Sequence, residues 1–347
     1  MNKYTSASHA EGTKRASLSS TPHFSISAKV SALKTSLCIS MLVAAGTLAP
    51  ILSAAPSTNA LAARWDLTLT TPHGDIPSWI EVSEDNGHAK LVMVGVTDHA
   101  TPLQTFEIRG IEIQFVSPKG EEGFPDTMLF KGKLVGWQLE GTVTDSSGDA
   151  WHWKGVRAPK LDRKGPPEWE ASVKLFNGKN LDGWHLRDTS QSGTWKVEDG
   201  LLVSTGHGTE LVSNSKFEDF KLHVEFKCGP SSNSGVFLRG RYELQIENDS
   251  VEEPNSHHTG GIYGFLDPTP EQPRTVDAWQ TFDITLVGRT ITVVQNGITI
   301  IDNREIHGIT GGALDSNEAL PGPIYLQGSE EGTVTFKNIV ITLGKNQ

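Results

Sequence analysis

Apolar and polar residues alternate in short runs along most of this chain, and Gly, Asn, Asp and Pro interrupt the runs. A period of two is the signature of a strand with one buried face. Between Arg64 and Pro159 it predicts eight strands: Trp65 to Thr70, Trp79 to Val82, Lys90 to Val96, Phe106 to Ile108, Ile111 to Val116, Met128 to Lys133, Leu134 to Val143 and Trp151 to Gly155. His73-Gly74, Asn86-Gly87 and Ser147-Gly148 supply turns between them. Strands of this length and number suit a small up-and-down barrel, filled by side chains or holding one small ligand. Trp137, Trp151 and Trp153 fit core packing there, with a sugar-stacking platform as the alternative.

The same period returns after Gly165-Pro166-Pro167. It predicts strands at 220–227, 235–240, 242–247, 282–287, 291–295, 298–302, 323–327 and 333–342, with hairpins around Glu198-Asp199-Gly200 and Asn296-Gly297. So many strands in one segment predict a two-sheet sandwich. The expected organisation is a leader over 1–62, a small antiparallel β domain over 63–160, a linker over 161–172 and a β-sandwich over 173–345. The fold class is all-β.

One strand breaks the core pattern in an informative way. Tyr242, Leu244 and Ile246 alternate with Glu243, Gln245 and Glu247. The three polar residues share a face, successive ones ~7 Å apart. With Arg239 and Arg241 just before them, they read as the floor of a polar-ligand site, and the ligand class that fits is a sugar.

Composition narrows the field. A formal net charge of -11 over 347 residues argues against nucleic acid as a partner. Lys3, Lys14, Arg15, Lys29 and Lys34 precede an apolar run from Leu37 to Leu52, and Ala60-Leu61-Ala62 offers a small-x-small cleavage site before Ala63. The expectation is an export signal, a periplasmic or secreted product and no membrane association after processing. The chain has two cysteines, Cys38 in the leader and Cys228. Removal of the leader leaves Cys228 as an inert thiol at a strand end, with no internal disulfide. The sequence carries no P-loop and no dinucleotide-binding fingerprint.

Several ordered motifs carry a family resemblance: Leu-Phe-Asn-Gly-Lys-Asn-Leu-Asp-Gly-Trp (175–184), Trp-Lys-Val-Glu-Asp-Gly-Leu-Leu-Val (195–203), Asn-Ser-Gly-Val-Phe-Leu-Arg-Gly (233–240), Tyr-Glu-Leu-Gln-Ile (242–246), Thr-Gly-Gly-Ile-Tyr (259–263) and Gly-Pro-Ile-Tyr-Leu-Gln (322–327). Residues 173–343 resemble the 3-keto-disaccharide hydrolase domain family, formerly a domain of unknown function. The resemblance implies a concanavalin-like jelly roll acting on glycosides whose ring is oxidised at C3, by hydrolysis or 1,2-elimination. It does not reach residues 64–160.

That chemistry needs a base near C2, an electrophile at the C3 oxygen and an acid for the leaving group. Glu243 is the expected base, with a structural partner for Arg239 or Arg241 as its plainer role. Arg239 is expected to polarise the ketone or clamp hydroxyls. Tyr263 is a donor to the oxyanion or leaving group. Glu225, alternating with Val224 and Phe226, is a second carboxylate. His257-His258 supplies a base or one ligand of a divalent metal together with Glu243 or Asp249, His258 being the first choice; the metal set is otherwise unknown. Asn233, Gln245 and Gln327 suit sugar hydroxyls, and Trp279 and Trp184 suit stacking on a sugar face. No redox cofactor is required in this step, so a sugar 3-dehydrogenase is the expected functional partner and an oxidised small-molecule glycoside the substrate. Two other classes stay open: a non-catalytic carbohydrate-binding module, and a conventional two-carboxylate glycosidase. Glu243 and Glu247 stand ~13 Å apart by strand rise, too far for such a pair at ~5–9.5 Å; Glu225 with Glu243 across strands remains a candidate pair.

Overall fold

Alternation builds nine strands among the described residues of the first β segment. They are β1 (Ala63–Thr71), β2 (Gly74–Asp85), β3 (His88–Val94), β4 (Thr101–Pro102), β5 (Phe106–Arg109), β6 (Glu112–Val116), β7 (Leu129–Val135), β8 (Gln138–Thr144) and β9 (Ala150–Arg157). The computed structural model describes residues 60–96, 99–118, 127–191, 194–206, 208–247, 255–273, 275–329 and 332–345. The nine strands form one antiparallel sheet in the order β4-β3-β2-β1-β9-β8-β7-β6-β5. It curls around Trp65, Leu67, Leu69, Phe115, Phe130, Leu139 and Trp153. The run expected as a single strand from Leu134 to Val143 is two, because Gly136 at φ 61 turns the chain between β7 and β8. Trp153 is core, whereas Trp137 on that turn is 85% exposed, so the three tryptophans form no common platform.

The expected leader lies almost entirely outside the described residues. Its last residues do not. Leu61 is fully buried in the core of this sheet, and its carbonyl accepts from Trp65 Nε1 at 2.9 Å. The Ala60 carbonyl accepts from Arg157 at 2.7 Å. A cut after Ala62 would therefore remove a core leucine, a side chain whose burial is worth about 1.5–3 kcal/mol.

The second segment is a jelly-roll sandwich. Its strands are β10 (Glu168–Trp169), β11 (Val173–Lys174), β12 (Trp184–Leu186), β13 (Trp195–Glu198), β14 (Leu201–Thr205), β15 (Leu211–Phe217), β16 (Phe220–Cys228), β17 (Asn233–Leu238), β18 (Tyr242–Glu247), β19 (Gln280–Val287), β20 (Thr290–Gln295), β21 (Ile298–Glu305), β22 (Gly322–Leu326) and β23 (Thr333–Lys345). One sheet runs β13-β14-β23-β16-β19-β20-β21, with β10 and β11 also paired to β23; the other runs β12-β15-β22-β17-β18. Leu222, Val224, Phe226, Phe282, Ile284 and Phe336 of the first meet Leu211, Val236, Leu244, Ile246, Ile324 and Leu326 of the second. The Asp199-Gly200 and Asn296-Gly297 hairpins both carry the paired positive φ values of a type I′ turn. Cys228 is buried, and burial pushes its thiol up to about 12, consistent with an inert sulfur.

Residues 54–347 make one compact unit, and the first sheet is seated on the sandwich. Trp79 of β2 packs with Val94, Ile309 and Ala313, and meets Phe265 edge-on at 5.6 Å between centroids. Thr68 and Ser316 share a 2.6 Å hydroxyl contact. Beside them Asp66 and Glu318 are both buried, at 2% and 0% exposure. Burial first, then the charge of Glu318 and a hydrogen bond to it, push the Asp66 carboxyl from 3.8 up to about 9. Glu318 pairs with Arg289 Nε at 3.2 Å and accepts from Tyr242 Oη at 2.6 Å.

Candidate functional site

The site is built by cross-strand register on the outer face of the five-stranded sheet. Residues directly opposite in a sheet point the same way. His185 pairs with Val212, Val212 with Tyr325, Tyr325 with Phe237, and Phe237 with Glu243. One step along, the Arg187 N–H bonds the Glu210 carbonyl, the Gln327 N–H bonds the Gly235 carbonyl, and Gly235 pairs with Gln245. Continuing the β15–β22 register by one residue sets Glu210 against Gln327. A polar band, Arg187–Glu210–Gln327–Gly235–Gln245, thus crosses all five strands. Asn233 and Glu247 pair in the next row on the same face. The rows between, such as Leu186–Leu211–Leu326–Val236–Leu244, point into the core.

Residues 260–263 extend this sheet beyond β18. Leu244 bridges Ile262, the Tyr263 N–H bonds the Glu243 carbonyl at 3.1 Å, and the Gln245 N–H bonds the Gly261 carbonyl at 2.9 Å. Tyr263 therefore stands beside Glu243 on the polar face. The 3-10 turn Asn255–His257 crosses over Gly261, where a Cβ would overlap the Ser256 carbonyl. It brings His257 onto Tyr263, ring to ring at 4.2 Å and 20°. Glu243 is 6% exposed, and its carboxylate leans across β17 over Gly235, where any Cβ would overlap Oε1.

Tyr325 lies in the floor between two carboxylates. Burial holds its phenol well above the usual range, and the charges of Glu243 and Glu210 add to the shift. Its hydroxyl donates to the Gly312 carbonyl at 2.6 Å. Arg187 pairs with Glu210 at 3.3 Å. Glu210 and Arg187 are site residues that sequence reasoning missed. The signal was present in the alternation of Glu210 and Val212 with Leu211, but only strand pairing aligns them with Gln327 and Gln245.

Glu243, Gln245, Asn233, Gln327 and Tyr263 are brought together. Five other expected site residues are not. Glu225 lies on the outer face of the opposite sheet, where Asn338 Nδ2 donates to it at 2.6 Å and Lys337 pairs with it at 3.2 Å. It does alternate with Val224 and Phe226, but those residues fill the sandwich from the other side, so Glu225 and Glu243 form no carboxylate pair. Trp279 sits on that far side too, under the Lys337 ammonium at 3.9 Å. Trp184 is a core residue at 6% exposure, its Nε1 donating to the Leu175 carbonyl at 2.8 Å.

Arg239 departs because the alternation ends before it. At φ 54 it opens the turn into Gly240. Its fully buried guanidinium donates to the carbonyls of Glu318 and, at 2.8 Å, Leu320. It holds the loop before β22 rather than a substrate. His258 turns away from its neighbour and pairs through Nδ1 with Glu271 at 2.7 Å, so His257, not His258, joins the Glu243–Tyr263 cluster. Asp249, the other expected metal partner, lies outside the described residues. Among the described residues no group of three or more His, Cys, Asp or Glu side chains is arranged to hold a metal ion.

A cavity of about 1170 Å³ lies elsewhere, where the first sheet meets the sandwich, and is lined by Arg64, Arg157, Trp169, Lys221, Arg289 and Glu305 among others. None of the residues on the polar face borders it.

A 3-keto-disaccharide hydrolase of Bacteroides thetaiotaomicron is 21% identical over 187 residues, 43% of this chain and 64% of that protein, so the alignment spans less than two thirds of the relative. A solved putative glycosyl hydrolase from Parabacteroides distasonis is 20% identical, the alignment covering 50% of this chain and 94% of that one, with a TM-score of 0.43. A beta-glucanase of Bacillus licheniformis is 13% identical over 53% of this chain and all of its own, with a TM-score of 0.32. The family model that matches residues 171–342 is described as a 3-keto-alpha-glucoside-1,2-lyase-like domain. The segment 171–342, which holds the polar five-stranded face, belongs to the 3-keto-alpha-glucoside-1,2-lyase-like domain family.

Proposed function

We propose that the polar face of the five-stranded sheet cleaves the glycosidic bond of 3-keto-glycosides. The observation that carries this reading is the buried Glu243 carboxylate beside Tyr263 and His257, at one edge of a floor of amides and paired charges. A C3 ketone acidifies the hydrogen on C2. Glu243 takes that proton, and the electron pair moves to the C3 oxygen as an enolate. The enolate re-forms the ketone as the C1–O bond breaks. Tyr263, which stands beside the base, gives the departing oxygen its proton. The product is an enone, and water adding across C1 and C2 gives net hydrolysis. Gln245, Gln327 and Asn233 hold the hydroxyls of the ring.

The same reading has the protein exported, with its substrate supplied by a separate sugar 3-dehydrogenase. The two-carboxylate alternative loses its expected pair, since Glu225 lies on the outer face of the opposite sheet from Glu243.

The test is release of a chromogenic aglycone from a 3-keto-glucoside and from the parent glucoside. Release from the keto form alone is expected. Glu243→Gln should slow it by about 10²–10⁴, with the thermal midpoint unchanged. Release from the parent glucoside at a similar rate would refute the elimination chemistry.

A further inference from the structure

Among the described residues, one ring reaches the candidate site from outside the sandwich. His99 belongs to the connection between β3 and β4 of the first sheet. Its ring lies 5.0 Å from the ring of His257, at 59°. His257 in turn stacks on Tyr263, which neighbours Glu243. Three rings therefore run in series from the first sheet to the catalytic carboxylate, and only the last two lie within the matched segment 171–342.

The position of His99 is fixed from both sides. The Gly312 N–H donates to the Val96 carbonyl at 2.6 Å, which ties the start of the connection to the sandwich. Thr101 Oγ1 donates to the His99 carbonyl at 3.3 Å. On the sandwich side Gly264, at φ +71, leaves the space that the His99 backbone and Cβ occupy; a Cβ there would lie 2.6 Å from the His99 Cβ. Trp79, packed with Ile309, Ala313 and Phe265, anchors the sheet that presents the loop. His257 ends the three-residue 3-10 turn and is buried, so the rings packed on it, His99 and Tyr263, bear on where it sits.

We propose that the first β sheet completes the active site, with His99 as a positioning residue whose ring holds the His257–Tyr263 stack against Glu243. This assigns residues 63–157 a part in catalysis without requiring a second ligand site. It rests on the reading of Glu243 and Tyr263 as base and donor. A ring displaced by an ångström is enough to move Tyr263 off the leaving oxygen, a change that costs about a hundredfold in rate. Since His99 touches no reacting atom, the loss falls on turnover rather than on binding.

The experiment uses the full chain and a chromogenic 3-keto-glucoside, comparing wild type, His99→Ala and His99→Phe by steady-state kinetics and thermal midpoint. His99→Ala is expected to lose about ten- to a hundredfold in kcat, with KM within threefold and the midpoint little changed. His99→Phe keeps a ring against His257 and should recover most of the rate. Equal kcat in wild type and His99→Ala would overturn the proposal, as would a His99→Phe variant as slow as His99→Ala. A wild-type protein that does not cleave the keto-glucoside would defeat the underlying reading and this one with it. Cleavage by wild type with no response at His99 defeats this one alone.

Discussion

Replacing Asp66 with asparagine should change how stability depends on pH. The carboxyl is 2% exposed and faces Glu318, and its folded-state value is pushed from 3.8 up to about 9, chiefly by burial. Between those values the native chain holds a proton that the unfolded chain has released. Stability therefore falls as pH rises, by about 1.4 kcal/mol per pH unit for one proton, and the fall ends near the folded value. The amide of the variant binds no proton in either state and can still donate to Glu318. Groups away from this acid pair titrate alike in both proteins. The stability of Asp66→Asn relative to wild type should thus rise by about 4 kcal/mol between pH 5 and pH 8. Urea unfolding at pH 5, 6, 7 and 8 measures it. If the two proteins keep a constant difference within about 1 kcal/mol across that range, Asp66 does not retain its proton and the account of the buried acid pair is wrong.

Two further outcomes test the site. Gly235→Ala should displace the Glu243 carboxylate, because the added Cβ would overlap Oε1; kcat on the keto-glucoside should drop at least tenfold, with a stability loss of about 1–3 kcal/mol from overpacking. Unchanged turnover would show that the base sits elsewhere. Glu225→Gln, on the far face with Lys337 and Asn338, should leave kcat/KM within twofold; a large loss would return Glu225 to the mechanism.

Much of the architecture was legible because a strand with one buried face must alternate. The polar face of β18 could be read from Glu243, Gln245 and Glu247 for the same reason, and the type I′ hairpins from Asp199-Gly200 and Asn296-Gly297. Alternation states which residues share a face within one strand. It cannot state which sheet a strand joins, and that is why the sequence alone allows Glu225 as a partner for Glu243 when the two lie on opposite sides of the sandwich. Arg239 failed for a different reason: a positive φ ends the period one residue early, and the side chain turns into the interior.

The sequence by itself determined the strand content, the turns and the one strand face too polar to be core, since these follow from local sterics and from a periodicity of two. Tertiary structure alone decided the row from Arg187 through Glu210 and Gln327 to Gln245, the stacking of His257 on Tyr263, and the approach of His99 from another sheet. Those residues are brought together by hydrogen-bond register and sheet docking, which depend on contacts between segments far apart in the chain and leave no period along it.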